Sequence, residues 1–216
     1  RVSFDYYPPV RNFTKFTSLW IPPAIFSFEL TDKGLRAVDL DNDGFVDFVQ
    51  GESPSGTLKA WINNRSGWIE SNSRAPPEYI VGALNEDYGA RFVDFDHDGF
   101  VDMLKGRSPY KAWRNNGTGW EDVSSIWAPS IEFADGDGTS QGVEMVDFNG
   151  DGRVDILQAH NNGGANVKKA FLNNGTTWQD VSASWTSPTY FYEGGDTGAR
   201  IEDVNGDGLP DIIEGT

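Results

Sequence analysis

The chain has 216 residues, with 33 acidic and 17 basic side chains, a formal net charge of −16 and no cysteine. This acidity, without any basic stripe, argues against nucleic acid as a partner, and the lack of cysteine excludes a disulfide framework. No apolar run reaches membrane-spanning length, so no membrane span is expected. The length suits a single all-β domain, and because the chain begins with Arg1 we expect a processed or excerpted chain.

In chain order, two predicted strands come first, VSFDYY (2–7) and part of FTSLWIPP (16–23). They precede DLDNDGFVD, which is the first of four copies of a nine-residue pattern, D-x-[DN]-x-D-G-x-x-D. The four copies, here called the first to fourth acidic loops, occupy 39–47, 94–102, 147–155 and 203–211 and begin 55, 53 and 56 residues apart. A pattern with a nearly fixed period indicates a repeat architecture.

Each acidic loop offers side-chain oxygens at positions one, three, five and nine and a backbone carbonyl at position seven, an all-oxygen set of the kind that Ca²⁺ prefers. The glycine at position six permits the sharp turn that this arrangement needs. We therefore expect about four Ca²⁺ ions, one per repeat. The alternative is an acidic turn without metal, since Asp, Asn and Gly favour turns. The predicted ligands are Asp39, Asp41, Asp43, Phe45 and Asp47; Asp94, Asp96, Asp98, Phe100 and Asp102; Asp147, Asn149, Asp151, Arg153 and Asp155; and Asp203, Asn205, Asp207, Leu209 and Asp211.

Two differences qualify this pattern. An EF-hand needs Glu at position twelve and flanking helices, whereas here position twelve varies and the flanks alternate as strands do. The sequence thus predicts a strand–loop–strand unit. The third and fourth loops carry Asn149 and Asn205 at position three, so we expect weaker binding there.

Beyond each loop the repeat continues with a second strand, a strand of the LKAWINN type (58–64), a turn and a last strand that ends in EDVSSIW (121–127) or its counterpart. Four strands in about 54 residues indicate a blade of a β-propeller. Nine aromatic side chains follow the repeat, and we expect them to fill the spaces between blades, although one set could stack on sugar rings. They are Trp61, Trp113 and Phe171; Trp68, Trp120 and Trp178; and Trp20, Trp127 and Trp185.

The fourth repeat stops after its second strand, and residues 1–23 resemble the strands that it lacks. We therefore predict an all-β propeller of four blades with four antiparallel strands each, closed by the N-terminal strands. The alternative is donation of residues 1–23 to a neighbouring copy, which would build a fibre. The predicted blades of this single domain are about 24–78, 79–130, 131–188, and 189–216 with 1–23.

Four N-x-[ST] sequons fall on the turn before the last strand of each blade. An Asn-Gly turn alone would explain two of them, but the other two keep the sequon without the glycine. We expect N-glycosylation, in a eukaryotic secretory pathway, at Asn12, Asn64, Asn116 and Asn174.

The segments GARFVDFDHDGFVD (89–102) and GARIEDVNGDGLPD (198–211) resemble the FG-GAP/VCBS repeat family, the calcium-binding blades of integrin α-subunit propellers and many secreted proteins. The resemblance covers all four repeats. It implies an extracellular, calcium-stabilised propeller used in adhesion, recognition or assembly. The chain has fewer blades than integrin propellers, so it could instead be a piece of a larger ring, and integrin binding surfaces are not transferred to it.

No catalytic constellation stands out, so we predict no enzyme and no catalytic residues. His97 lies in a loop and His160 is expected on a surface loop, while ADGDGTSQG (134–142) stands out as an unrepeated acidic segment, more consistent with a long loop than with a fifth cation site. Two functions compete: a structural subunit of an extracellular assembly or fibre, through self-association or other extracellular proteins, and an adhesive or lectin-like module that binds a protein or glycan.

Overall fold

The computed structural model describes residues 21–29 and 31–215, and in this part of the chain four-stranded antiparallel sheets follow one another. The first sheet contains β3 (Leu35–Val38), β4 (Asp47–Glu52), β5 (Thr57–Asn63) and β6 (Trp68–Glu70). The second contains β7 (Ala90–Val93), β8 (Asp102–Lys105), β9 (Lys111–Asn115) and β10 (Trp120–Asp122). The third contains β11 (Val143–Val146), β12 (Asp155–Asn162), β13 (Ala165–Asn173) and β14 (Trp178–Asp180).

Two smaller pairs flank these sheets. The hairpin of β1 (Ser27–Phe28) and β2 (Thr31–Asp32) precedes the first sheet, and β15 (Arg200–Glu202) pairs with β16 (Asp211–Ile213) in a fourth, two-stranded sheet. The strands predicted to complete that fourth sheet lie outside the described residues, apart from Ile21–Pro23. Closure of the ring and its four-blade count therefore stay predictions.

Alternation along the strands determines how neighbouring sheets pack, because successive side chains point to opposite faces. In β8, Met103 packs with Val49 of the first sheet, whereas Leu104 packs with Ile156 of the third. In β12 the next residue, Leu157, belongs to a third cluster shared with the fourth sheet. Each sheet thus contributes one face to the cluster before it and one to the cluster after it.

Seven of the nine repeated aromatic residues lie in hydrophobic clusters or pack against them, as the sequence predicts, while Trp20 lies outside the described residues. Trp61, Trp113 and Phe171 are buried, and Trp127 packs edge-on against Trp178, with their ring centroids 5.5 Å apart. The side chain of Trp185 is 44% exposed, which differs from the expected burial. Its ring packs against Phe148, with the ring centroids 4.8 Å apart.

Three predictions about local structure were wrong. The last strand of the second sheet ends at Asp122, and Ser124–Trp127 form a short helix, because Asp122 Oδ1 accepts the Ser124 backbone N–H (2.9 Å) and turns the chain. The segment 134–142 is not unrepeated: its Ala134–Ser140 bridge matches the bridges Val81–Asp87 and Tyr192–Asp196 ahead of the neighbouring sheets. It is a hairpin present in each repeat.

The third error concerns His160, which is not on a surface loop. It lies in β12, its side chain is 6% exposed, and it is paired with Val167 of β13. A short helix at Asn72–Arg74 is of the 3-10 type, and no helix in the described ranges is long and apolar enough to cross a membrane.

Candidate metal centres

Each acidic loop joins the first two strands of its sheet, and the first aspartate of the loop organises the turn. Asp39 accepts the backbone N–H groups of Asp43 (3.2 Å, at Oδ1) and Gly44 (2.9 Å, at Oδ2). The carboxylate of Asp94 accepts the corresponding two N–H groups in the second loop, at 3.2 and 2.9 Å. The strand–loop–strand unit predicted from the sequence is confirmed, since β3 ends at Val38 and β4 begins at Asp47.

Two positions of every loop adopt the left-handed backbone conformation, positions four and six. The expected glycines at position six have φ between 83° and 93° (Gly44, Gly99, Gly152, Gly208). Position four is also left-handed, with φ between 56° and 79° (Asn42, His97, Gly150, Gly206). The left-handed conformation at position four was not predicted from the sequence. The signal was present, because Asn and Gly are the residues that tolerate this region best.

The aspartate at position nine is buried and ties the loop to the third strand of the sheet. Asp102 Oδ2 accepts the N–H of Phe95 (3.1 Å), and Oδ1 accepts the N–H of Asn115 at the end of β9 (2.8 Å). Asp47 and Asp155 make the same two kinds of bond in their own sheets. These three carboxylates are 0% exposed, so the position-nine side chain is a structural hub as well as a predicted ligand.

Burial makes ionisation of these hubs costly. It raises the pKa of Asp102 to about 8, against the lowering effect of the Asn115 N–H, and the negative charge of Asp96 adds to the rise. Burial likewise raises the pKa values of Asp47 and Asp155 to about 6. A cation beside each hub would favour the ionised form, because an opposite charge at close range stabilises it.

The donor geometry of the first two loops fits a divalent cation. Carboxylate oxygens of Asp39, Asp41 and Asp43 lie within 4.8 Å of one another, and so do those of Asp94, Asp96 and Asp102. Asp41 Oδ1 is buried without a hydrogen-bond partner. Such a set of carboxylate oxygens suits a hard cation, which prefers oxygen ligands. Among the described residues, only these two loops bring three carboxylates together in this way.

The other two loops differ because an amide occupies position three. Asn149 Nδ2 donates to Asp151 Oδ2 (3.1 Å), and Asn205 Nδ2 lies 3.4 Å from Asp211 Oδ1. The amide hydrogens thus contact carboxylates that were predicted as ligands. Weaker binding at the third and fourth loops stays a prediction.

In each loop, the aspartate at position five accepts the backbone N–H of the residue at position seven. The backbone N–H groups of Phe45 and Phe100 donate to Asp43 and Asp98 at 3.0 and 2.9 Å, and those of Arg153 and Leu209 donate to Asp151 and Asp207 at 2.9 Å. Arginines also border the loops: Arg74 Nη1 lies 3.4 Å from Asp41 Oδ2, and Arg114 Nη1 lies 3.7 Å from Asp96 Oδ2. Their charges partly offset those of the carboxylates.

Two asparagines that were not predicted from the sequence link the first and second loops to the following sheets. Asn115 Nδ2, from the second sheet, donates to the carbonyl of Leu40 in the first loop (2.8 Å). Asn173 Nδ2, from the third sheet, donates to the carbonyl of Phe95 in the second loop (2.7 Å). Both asparagine side chains are 1% exposed. Each is the first Asn of the repeated Asn-Asn pair, which the sequence analysis treated only as part of a turn.

The second Asn of that pair is the sequon residue, and it faces solvent. Asn64, Asn116 and Asn174 are exposed, and each Oδ1 accepts the N–H and hydroxyl of the residue two positions ahead, as in the Asn116–Thr118 bonds of 3.0 and 2.8 Å. Asn12 lies outside the described residues. The three described sequons are therefore accessible at equivalent turns of three sheets.

Comparison with known proteins agrees with the repeat and the fold. The FG-GAP-like repeat family matches residues 39–104 and 147–213, more than half of the chain. No curated protein matches the sequence. One similar solved structure is a lectin of Agrocybe aegerita described as recognising non-reducing terminal N-acetylglucosamine, with a TM-score of 0.53 and 18% identity over 83% of this chain and 46% of the lectin.

A second similar structure is the Tc holotoxin pore of Photorhabdus luminescens. Its TM-score is 0.55 at 20% identity, over 92% of this chain and 9% of the toxin chain. At these identities the likeness concerns the fold alone. This chain thus spans less than half of the lectin chain and a small part of the toxin chain.

Proposed function

Because this chain belongs to the family of FG-GAP-like repeat proteins, we propose that it is a secreted, calcium-binding, non-enzymatic β-propeller module that serves as a structural subunit of an extracellular assembly. The observation that carries this proposal is the arrangement of the acidic loops. The first two gather three carboxylates each. Their backbones are fixed to the next sheet by Asn115 and Asn173, so an ion bound in a loop would stabilise the contact between sheets.

Self-association, or completion of the fourth sheet by residues 1–23 within one chain or between chains, belongs to the same proposal. Exposed apolar side chains lie in the described part of the fourth sheet, at Ile213 (43%), and in its acidic loop, at Val204 (60%). Covering such residues is favourable, at roughly 25 cal/mol per Å² of apolar surface. The N-terminal segment or a second copy is the expected cover.

Chelation tests the metal in this proposal. At calcium tenfold above its Kd, each site stabilises the fold by about 1.4 kcal/mol. Loss of ions from the first two loops should then lower the melting temperature by roughly 6–11 °C, at about 2–4 °C per kcal/mol for a domain of this size. The measurement is calorimetry with EDTA and with calcium restored; magnesium serves as a control, since it demands a stricter octahedral geometry. An unchanged melting temperature would refute the calcium role.

Sizing of the same samples tests the assembly. Under the structural proposal, EDTA converts large particles to smaller ones, and restored calcium rebuilds them. Particles that keep their size while the melting temperature falls would contradict calcium-dependent assembly and retain the metal-stabilised fold.

Glycosylation is part of the proposal and has its own test. After expression in a eukaryotic secretory host, we expect glycans at Asn64, Asn116 and Asn174, because all three side chains are exposed on turns. Intact-mass measurement of Asn116→Gln should show the loss of one glycan. Thr118→Ala is the matched control, since it keeps Asn116 and destroys only the sequon; retention of that glycan in either variant would contradict this assignment.

A second candidate function is recognition of a glycan ligand. The similar Agrocybe aegerita structure is described as a lectin, and its likeness covers 83% of this chain. The present chain also has a polar cleft between its second and third sheets, lined by Gln158 and His160. A recognition module should bind a soluble glycan to saturation when the protein is isolated, whereas a structural subunit should not.

A further inference from the structure

The clefts between neighbouring sheets are apolar near the acidic loops and polar at the far end. In β12, Ile156 belongs to the core shared with the second sheet, while Gln158 and His160 follow on the same face. At about 3.3 Å per residue, His160 lies roughly 17 Å along the strand from Asp155 in the third loop. The polar end is thus remote from the predicted metal centres.

The equivalent end of the first cleft carries two cationic side chains that contact other groups of the protein. Lys105, at the position of Gln158, forms an ion pair with Glu78 (3.0 Å). Arg107, at the position of His160, stacks on Tyr88 with its guanidinium carbon 4.5 Å from the ring centroid, and donates to the carbonyls of Asp87 (3.3 Å) and Gly136. These contacts engage both cationic side chains within the protein.

The second cleft has a cavity at this place, of about 310 Å³. Its buried polar side chains are held in defined orientations. Gln158 Nε2 donates to the carbonyl of Glu132 (2.9 Å), and Gln141 Nε2 donates to the carbonyl of Thr139 (3.0 Å). Gln158 is 3% exposed and Gln141 is 6% exposed. Fixed amides of this kind lose little conformational entropy when a ligand binds.

His160 provides the feature that points to a ligand. Its side chain is 6% exposed and lines the cavity, and Nδ1 is buried without a hydrogen-bond partner. Burial lowers the pKa of His160, although the charges of Asp135 and Glu132 oppose this. A neutral imidazole offers one donor and one acceptor. An unpaired buried polar atom is costly, so a bound group that pairs with it gains affinity.

We propose that this cleft binds a single neutral pyranose residue of a glycan. The volume of this cavity lies at the lower end of the range for small-molecule sites, which begins at about 300 Å³. Amide, imidazole and phenol groups supply the mixture of donors and acceptors that a ring of hydroxyl groups requires. Glu132 and Lys169, of opposite charge, both line it, and Tyr110 adds an aromatic ring. This inference rests on the second candidate function and names its ligand class and site.

Titration calorimetry and saturation-transfer NMR with glucose, galactose, mannose and N-acetylglucosamine test the site. We expect one or more of these sugars to bind at one molecule per chain and His160→Ala to weaken that binding at least tenfold. Glu52→Ala is the matched control, because Glu52 occupies in β4 of the first sheet the position that His160 occupies in β12. The affinity of this variant for the sugar should be unchanged. If His160→Ala fails to fold, Val167→Trp is the second variant. Val167 is half-buried in the neighbouring strand β13, so a tryptophan side chain there should fill the cleft and abolish sugar binding.

Three results would overturn the site: no response to any of the four sugars, equal affinity in the folded cleft variants, or binding confined to glucuronic acid or glucosamine. The melting experiment with EDTA is independent of these results. A protein that loses thermal stability with EDTA but binds no sugar retains the structural function and lacks the glycan site. Sugar binding outside the cleft would support recognition while refuting this location.

Discussion

Asp102→Ala is expected to lower the free energy of unfolding by about 2–6 kcal/mol, because each buried N–H left without its acceptor costs about 1–3 kcal/mol. The two groups concerned are the backbone N–H groups of Phe95 and Asn115. Both bonds converge on a carboxylate that is 0% exposed, so water does not easily replace it. Urea unfolding followed by tryptophan fluorescence measures the loss.

Asp98→Ala is the matched control for that substitution. Asp98 belongs to the same acidic loop and is exposed, so its removal takes away a predicted ligand without unpairing the third strand. In calcium both variants should bind the ion less tightly. In EDTA, Asp98→Ala should resemble the parent protein while Asp102→Ala stays destabilised. Equal stability of the two variants in EDTA would show that the position-nine carboxylate acts through the ion alone.

Asn173→Ala should cost about 1–3 kcal/mol, because it leaves one buried carbonyl without its donor at the contact between the second and third sheets. The substitution unpairs the carbonyl of Phe95 (2.7 Å from Asn173 Nδ2) and the N–H of Gly175 (3.0 Å from Oδ1). Because the Phe95 carbonyl belongs to the second acidic loop, the variant should also lower calcium affinity there. Calorimetry measures the stability, and calcium titration of the same sample measures the affinity.

The neighbouring Asn174 gives the control for Asn173. It is exposed, and its side chain bonds only within its own turn in the contacts that the structure describes. Asn174→Ala should remove the sequon and leave the contact between sheets intact. If Asn173→Ala and Asn174→Ala had the same melting temperature, the hydrogen bond from Asn173 to Phe95 would make no measurable contribution to stability.

Periodicity made much of the fold accessible from the sequence. The spacing of the four acidic loops located the strand–loop–strand units. The apolar–polar alternation expected of the flanks would leave one face of β8 exposed, whereas Met103 and Leu104 are buried on its two faces. Trp61 and Trp113 lie in the predicted buried phase. Such features are accessible because the same local pattern returns in successive repeats.

What escaped prediction depends on contacts between repeats. The amide of Asn173 bonds to Phe95, 78 residues earlier, and no local pattern separates it from a turn asparagine. His160 is buried because the strand end of β12 continues to Asn162, whereas the sequence HNNGG looks like a loop. The hairpin at 134–142 differs in composition from both counterparts, and only the bridge Tyr192–Asp196 spans fewer residues, so no sequence pattern revealed the common bridge.

The asparagine bridges also make the acidic loops depend on the order in which the repeats are synthesised. The first acidic loop accepts a hydrogen bond from Asn115 and the second accepts one from Asn173, and each asparagine belongs to the repeat that is synthesised later. A ribosome delivers the chain from the N-terminus, so a loop reaches its final geometry only after the following repeat has emerged and folded. Uptake of a cation during synthesis would therefore lag the growing chain by one repeat, and translation pauses within a repeat would leave the preceding site immature.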